Sequence, residues 1–413
     1  MSDTEQYLQS VSANGDTVDI SALVNHIVQD SLVAKASDIH IEPWEDILGV
    51  RIRCSGILQE LVYIPKEFHP LICGRIKVMA NMASHMKDVP QDGKAAPPEF
   101  KGVQLRVSVF PTVRGEKIVI RIFNPKARTF DIHSLGFDEE TLGKYIKVLN
   151  KPTGLVLLTG PTGSGKTTAI YASIGYLLEK HQNTVAIASV EDPVEQNLMW
   201  VNQAQLNPPQ DFTYVTALRS LMRQDPEVIM IGEIRDVDTA TIAVTAGMTG
   251  HLVISTIHSG TTSGVFARLI NMNIEPFLLA SSLIGILGVR LLRLNCEDCK
   301  NVYTPEEFAL THLRTSQGDA FVEDAIEQQL FRCGFGCEKC ANTGYAGRGA
   351  VTELMTVSED VREVVMNKRP TREIQDMAVK GGMQTLWEGG LRRVTNGETT
   401  IEEALQKVAA EML

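Results

Sequence analysis

Gly160-Pro161-Thr162-Gly163-Ser164-Gly165-Lys166-Thr167-Thr168 is the stretch whose reading decides the fold. It has the form G-x-x-x-x-G-K-T. It follows the apolar run Gly-Leu-Val-Leu-Leu-Thr at 154–159 and precedes a helix-like run over 168–181. A strand, a glycine-rich loop and a helix, in that order, form the context a phosphate-binding P-loop requires. The glycines let successive backbone N–H groups curl around phosphate oxygens, and the following helix aims its positive end at them. In such a loop Lys166 neutralises the β- and γ-phosphates and the Thr167 hydroxyl ligates Mg²⁺. The competing reading is a glycine-rich turn before an ordinary helix, and it leaves the fit of both flanks unexplained. The chain is therefore expected to bind Mg-ATP or a related triphosphate.

Around this loop, from residue 136 onward, a helix is followed by buried strands at 155–159, 185–190, 228–232 and 252–257, alternating with helices. That alternation predicts an α/β fold with a mostly parallel sheet covered on both faces. Chemistry then collects at the carboxyl ends of the strands. The second strand leads into Glu191-Asp-Pro-Val-Glu195, and the third into Gly232-Glu233-Ile-Arg-Asp236. The fourth is bracketed by His251 and His258. Glu233 closes a Walker B-like run and is placed to hold Mg²⁺, and Glu191 to orient or deprotonate the attacking water. Either histidine could hydrogen-bond near the γ-phosphate. A strand-end carboxylate also serves as a helix cap, the reading preferred for Asp236.

The first half of the chain reads differently. Residues 1–17 are expected to be a flexible lead. A helix carries Ile20, Leu23, Val24, Ile27, Val28, Leu32 and Val33 at helical spacing. Short alternating runs follow at 38–43, 49–55 and 57–64, then an amphipathic helix at 68–82. A hairpin of 103–112 and 117–123 turns around Val113-Arg-Gly-Glu116. This makes a small α+β domain over 18–123. The polar, proline-containing segment 124–135 reads as a linker, and 136–413 as the nucleotide domain.

With 413 residues, 44% hydrophobic and 22% charged, the composition is that of a globular protein of two or three domains. The formal charge of −11 argues against bulk nucleic-acid binding. The start of the chain lacks the basic and apolar regions of a signal peptide, and the apolar run 277–289 is too short to span a bilayer. A cytoplasmic location is expected, with membrane contact through a partner.

Five of the seven cysteines lie between Cys296 and Cys340. The pairs Cys296-x-x-Cys299 and Cys337-x-x-Cys340 flank a polar, insertion-like segment, and together they can close a tetrahedral zinc site with no open position. Unligated thiols or a redox pair are the alternative. Cys333 is a competing ligand, disfavoured by its spacing. Cys54 and Cys73 read as small core residues.

The set of motifs resembles the secretion-superfamily ATPases of the type II secretion and type IV pilus assembly class. It comprises GPTGSGKTT (160–168), EDPVE (191–195), LRSLMRQDPEVIMIGEIRD (218–236) and TGHLVISTIHS (249–259). The N-terminal half adds SDIHIEP (37–43), GRIKVMANM (74–82), PQDGK (90–94) and LRVSVFPTVRGEKIVIRIF (105–123). The resemblance covers the chain from about residue 18 onward. It implies a RecA-like P-loop ATPase domain behind a PAS-like α+β domain, with a zinc-binding subdomain at 294–342 and a C-terminal helical subdomain at 350–413. It also implies a hexameric motor at the cytoplasmic face of the bacterial inner membrane. There the motor would work with a platform protein and other secretion or pilus assembly components to add pilin-like subunits to a filament. Arg106 and Arg121 match two family arginines that reach the nucleotide; the alternative is that both are solvent-facing sheet residues. The four-cysteine knob resembles that of extension motors rather than retraction motors, which implies filament assembly, for secretion or for a pilus or DNA-uptake pseudopilus. Larger relatives carry an extra N-terminal domain for which the lead here has no room, which implies recruitment through another surface, a truncated chain or a compact subtype. A low-turnover nucleotide-binding scaffold and a DNA translocase are weaker readings, the latter lacking an aromatic–basic stripe.

Overall fold

The structure, a computed structural model, describes residues 2–14, 17–123 and 130–408, and the chain divides into two compact units, Met1–Arg128 and Thr129–Leu413. The first begins with helices α1 (Asp3–Asn14) and α2 (Ile20–Val33). Strands β1 (Asp38–Pro43), β2 (Ile47–Cys54) and β3 (Ile57–Pro65) follow, then helix α3 (His69–Met79) and strands β4 (Gln91–Ala95), β5 (Gln104–Thr112) and β6 (Gly115–Phe123). The strands form one antiparallel sheet of order β3-β2-β1-β6-β5-β4. Its pleat sorts the sequence by period two. Ile39, Ile41, Val50, Ile52, Val107, Ile118 and Ile120 are buried in one core with Leu23 and Ile27 of α2 and Ile72 and Ile76 of α3. Arg51, Arg53, Arg106 and Arg121 fall on the other face.

The expected flexible lead is corrected in part, because residues 3–14 are helical. The Asp30 carboxylate on α2 accepts from the backbone N–H groups of Asp3 (3.0 Å) and Thr4 (2.9 Å), capping α1 from outside its own sequence. Tyr7 and Leu8 pack against the core. The linker is also shorter than expected. Residues 124–129 lie outside the described residues, but Ile132–Leu135 forms a 3₁₀ turn capped by Asp131, with Ile132 buried. Phe130 meets Tyr171 edge-on at 5.1 Å.

The second unit opens with α4 (Glu139–Leu149), β7 (Gly154–Thr159), α5 (Lys166–Lys180), β8 (Ile187–Glu191), β9 (Val201–Gln205) and α6 (Tyr214–Leu221). It continues through β10 (Val228–Ile231), α7 (Val237–Met248), β11 (Leu252–Ile257), α8 (Gly264–Asn271), α9 (Pro276–Ser282) and β12 (Leu283–Asn295). The cysteine region holds β13 (Lys300–Val302), α10 (Glu307–Gln317), α11 (Asp319–Glu327) and β14 (Arg332–Gly334). Strand β15 (Tyr345–Thr356) then returns to the sheet, and helices α12 (Glu359–Met366), α13 (Thr371–Lys380), α14 (Leu386–Thr395) and α15 (Ile401–Val408) end the unit.

The sheet order is β15-β12-β7-β11-β10-β8-β9, parallel except for β15. The P-loop strand β7 lies in the middle and is buried along its length. Leu155 and Leu157 face a core with α6 to α9, while Val156 and Leu158 face one with α4 and α5. Such two-sided burial is why strands of a parallel sheet read as continuous apolar runs. A further core joins Leu313 and Phe331 of the cysteine region to Trp387, Leu391 and Ile401. No described helix is long and apolar enough to cross a membrane.

Candidate active site

The P-loop connects β7 to α5 at the carboxyl edge of the sheet. Gly160 (φ 146°) and Gly165 (φ 99°) adopt backbone conformations that side chains disfavour. A Cβ on Gly160 would lie 2.5 Å from the Val289 carbonyl oxygen, 2.7 Å from Ser164 Oγ and 2.8 Å from Arg290 Nη1. Helix α5 starts at Lys166 with no side-chain cap, since Gly165 offers none. Its first N–H groups are thus open to an anion. Lys166 Nζ donates to the carbonyls of Gly160 (2.7 Å) and Pro161 (2.9 Å), so the ammonium is folded into the mouth of the loop. Burial, and then the Arg290 guanidinium, lower the Lys166 ammonium below the usual lysine range, while Glu233 acts the other way. Thr167 is exposed beside it, and Ser164 is buried.

Strand pairing brings the other groups to this edge. Ile257 of β11 pairs with Thr159 of β7, and Thr159 Oγ1 exchanges hydrogen bonds with Ser259, donating to its carbonyl at 2.8 Å and accepting from its N–H at 3.0 Å. His258 is thereby fixed beside the start of the P-loop. Its Nε2 lies 3.7 Å from Glu233 Oε2. Glu233 follows β10, and its other oxygen accepts from Arg235. Lys166, Glu233 and His258 are therefore neighbours at the carboxyl edge of the sheet, Glu233 close enough for its charge to act on the Lys166 ammonium, and Thr167 follows Lys166 at the start of α5. Asp236 caps α7 through the Thr239 N–H at 2.8 Å.

His251 is not part of this group. It precedes β11 at the amino edge of the sheet, its carbonyl bonded to the N–H of Gly154 and its Nδ1 3.2 Å from the Ala246 carbonyl oxygen. The seven-residue step to His258 runs along one extended strand, so the two imidazoles are about 20 Å apart. The expectation that both could serve the phosphates fails on that geometry.

Glu191 ends β8 as expected, but its carboxylate is turned into the protein and is only 2% exposed. Three neutral donors hold it: Tyr171 Oη at 2.5 Å, Ser189 Oγ at 2.6 Å and Gln203 Nε2 at 2.9 Å. Burial, the bond to Glu191 and its charge push the Tyr171 phenol up, so Tyr171 is protonated and acts as the donor.

Sequence reading missed Tyr171 and Gln203, which come from other elements, and gave Arg290 no role. Arg290 lies on β12 beside the P-loop strand, 5% exposed, with Nη1 donating to the Val289 carbonyl (3.0 Å) and Nη2 to that of Gly260 (2.5 Å). The gap at Gly160 that receives it is the one signal a sequence offers.

In the first unit Arg106 of β5 and Arg121 of β6 are direct cross-strand partners, and Lys94 of β4 is the next in the row. Like charges placed opposite one another cost stability, so the row calls for a function or a counter-ion. Arg121 Nε donates to Asp38 Oδ1 at 3.0 Å, and Arg106 lies over the Phe123 ring at 4.4 Å. Together with Asp38, Asp92 and Lys94 they line a cavity of about 380 Å³.

The cysteines form a separate centre. The Sγ pairs 296–337 and 299–340 are each 3.8 Å apart, Cys337–Cys340 is 3.7 Å, and all four sulfurs lie within 4.8 Å of one another. A tetrahedron with Zn–S bonds of about 2.3 Å has sulfur–sulfur edges of about 3.8 Å. The donor set therefore fits zinc. Burial opposes ionisation of Cys340, but backbone N–H donors from Cys337 (3.2 Å) and Gly344 (3.3 Å) help bring its thiol down to about 6. Cys333 lies on β14 opposite Asn301 and is not one of the four.

The sequence profile described as Type II/IV secretion system protein matches residues 13–406. The type II secretion system protein E of Xanthomonas campestris pv. campestris is 40% identical over 389 residues, 93% of this chain and 66% of that protein. The type IV pilus assembly ATPase PilB of Myxococcus xanthus is 39% identical over 408 residues, 98% of this chain and 70% of that protein. The chain thus spans about two thirds of these relatives' lengths. Among solved structures, the Legionella pneumophila ATPase DotB superposes with a TM-score of 0.67 at 16% identity, covering 94% of this chain and 96% of that one, which is a likeness of fold. With its P-loop unit, its arginine-bearing sheet and this match over most of its length, the chain belongs to the type II/IV secretion system protein family.

Proposed function

We propose that the chain is a motor that hydrolyses Mg-ATP and uses the turnover to assemble a pseudopilus for type II protein secretion. The observation that supports this reading is an uncapped P-loop helix that starts at Lys166, with the Glu233–His258 pair close enough for the Glu233 charge to act on the Lys166 ammonium. Backbone N–H groups of 163–168 and the Lys166 ammonium bind the β- and γ-phosphates. Thr167 and Glu233 would hold Mg²⁺, which would supply positive charge to the phosphates. Water attacks the γ-phosphorus, the bond to the β–γ bridging oxygen breaks, and Glu191 takes the proton from the water. His258 reports on the γ-phosphate through its link to Glu233. Arg106 and Arg121 supply positive charge to the transferring phosphoryl group, within a ring of identical subunits of which six is the expected number.

Glu233→Gln is expected to slow hydrolysis about 100-fold with ATP affinity changed by less than about fivefold, because it removes charge from the Mg²⁺ site and leaves the loop intact. Measured phosphate release and nucleotide titration check both halves. Arg121→Ala is expected to lower kcat by about 10³ while ATP binding to the isolated chain is unchanged, as for an arginine that acts only on the transition state. Equal losses in binding and turnover would remove it from that role.

The motor works at the cytoplasmic face of the inner membrane through a platform protein, with zinc in the cysteine centre. The decisive experiment is ATP hydrolysis per chain against oligomer size, with and without that platform protein. Activity rising with ring formation and again with the platform supports the reading, and a monomer of full activity overturns it. The similarity to the Myxococcus xanthus pilus assembly ATPase favours a second reading, the same motor serving a type IV pilus.

A further inference from the structure

We infer that Tyr171 is a positioning residue that latches Glu191 away from the attacking water until nucleotide binding moves the P-loop helix. The inference deepens the proposed role of Glu191 as proton acceptor and rests on it. A base must present a carboxylate oxygen to water in the cleft. Here Oε2 accepts the Tyr171 hydroxyl at 2.5 Å, while Oε1 accepts both Ser189 Oγ at 2.6 Å and Gln203 Nε2 at 2.9 Å. The residue is only 2% exposed, and both oxygens are engaged by protein donors. Glu191 in this arrangement is a stored base.

The latch sits on the element that senses nucleotide. Tyr171 is on α5, whose first residue is Lys166, so a phosphate drawing the start of α5 toward it acts on the phenol through a rigid helix. The same hydroxyl accepts the Glu195 N–H at 3.3 Å, tying the loop after β8 to the latch. The Phe130 ring packs edge-on against the phenol ring. A shift of α5 by about 1 Å takes a 2.5 Å hydrogen bond beyond its working range. Ser189 lies on the same strand, two residues before Glu191, and moves with it, which leaves Tyr171 and Gln203 as the parts that release.

The test is steady-state ATP hydrolysis by the full chain, with oligomer size checked by light scattering. Tyr171→Phe keeps the ring and its packing and removes only the donor. The expected result is a kcat about five- to tenfold higher, with the KM for ATP changed by less than about twofold, since one charge-assisted hydrogen bond no longer opposes release. Gln203→Ala, which removes the other releasable donor on β9, is expected to raise kcat in the same direction. In a Glu191→Gln background Tyr171→Phe is expected to do nothing, a dependence that a packing role for the phenol does not produce. If Glu191→Gln is slow but neither Tyr171→Phe nor Gln203→Ala exceeds the wild-type rate, the latch is overturned and the base stands. If Glu191→Gln hydrolyses at the wild-type rate, the base assignment falls and the latch with it.

Discussion

Lys166→Ala is expected to lower the rate of ATP hydrolysis by about 10²–10³-fold, the usual loss for one preorganised donor to developing negative charge. The side chain now satisfies itself on the Gly160 and Pro161 carbonyls, at 2.7 and 2.9 Å, in a loop whose tip is exposed. A triphosphate replaces those carbonyls with oxygens of full charge. Lys166 is already partly desolvated, and the nearby Arg290 guanidinium disfavours its charge while Glu233 favours it, so an incoming phosphate adds to the favourable side. Removing the ammonium takes away that drive. The loop's own carbonyls become available to water, so stability is expected to change by no more than about 1 kcal/mol. Thermal unfolding and phosphate release measured on the same sample separate the two effects. Unchanged hydrolysis in a folded variant would falsify the P-loop assignment.

The second large effect concerns the cysteine centre. Cys340→Ser is expected to abolish stoichiometric zinc binding, from one per chain to none by elemental analysis. Cys340 receives two backbone N–H donors that suit a thiolate, so its loss removes the best prepared of the four sulfurs. Structural zinc contributes about 10 kcal/mol or more where it folds a small peptide. The contribution here is smaller, because α10 and α11 already pack through Leu313 and Val322 onto the core that holds Trp387. Loss of metal is therefore expected to free the segment between the cysteine pairs while the P-loop sheet stays intact. Limited proteolysis checks this: cleavage within 300–336 in the variant or the chelated protein, with wild-type holoprotein resistant. Equal resistance with and without metal would count against a structural role.

How much of this was legible in the sequence depended on whether a feature is local. The P-loop, its strand and its helix are contiguous, and the expected strand and helix are both present, the helix starting two residues earlier than expected, at Lys166. Glu233 was legible because its strand is a continuous apolar run with the acid at its end. The two histidines show the limit of listing residues near a strand. Both flank β11, but a strand has two ends, and counting seven residues at about 3.3 Å each separates them by the height of the sheet. The rule that chemistry gathers at carboxyl ends, applied strictly, selects His258 and rejects His251.

Other features were illegible because their cause is tertiary. The carboxylate of Glu191 is turned inward by Tyr171, five residues into another helix, and by Gln203 on another strand. The helix at Asp3–Asn14 looked like a polar lead because its cap, Asp30, lies outside its own sequence. The apolar run from 277 to 289 carried no period, and it divides into nearly all of α9 and the first half of β12. Burial on both faces erases the alternation by which strands are recognised.

Strand β12 carries a mechanical consequence. It pairs with β7 over Leu283–Gly288 on one side and with β15 over Gly285–Asn295 on the other, with an irregularity in register between Arg293 and Asn295. Arg290 sits on it beside Gly160, and Cys296 follows its last residue. These points are about 20 Å apart along an extended chain. A rocking of about 5° at the Gly160 end would sweep the thiol end through about 1.7 Å over that length. One continuous strand thus joins the phosphate end of the sheet to the cysteine knob.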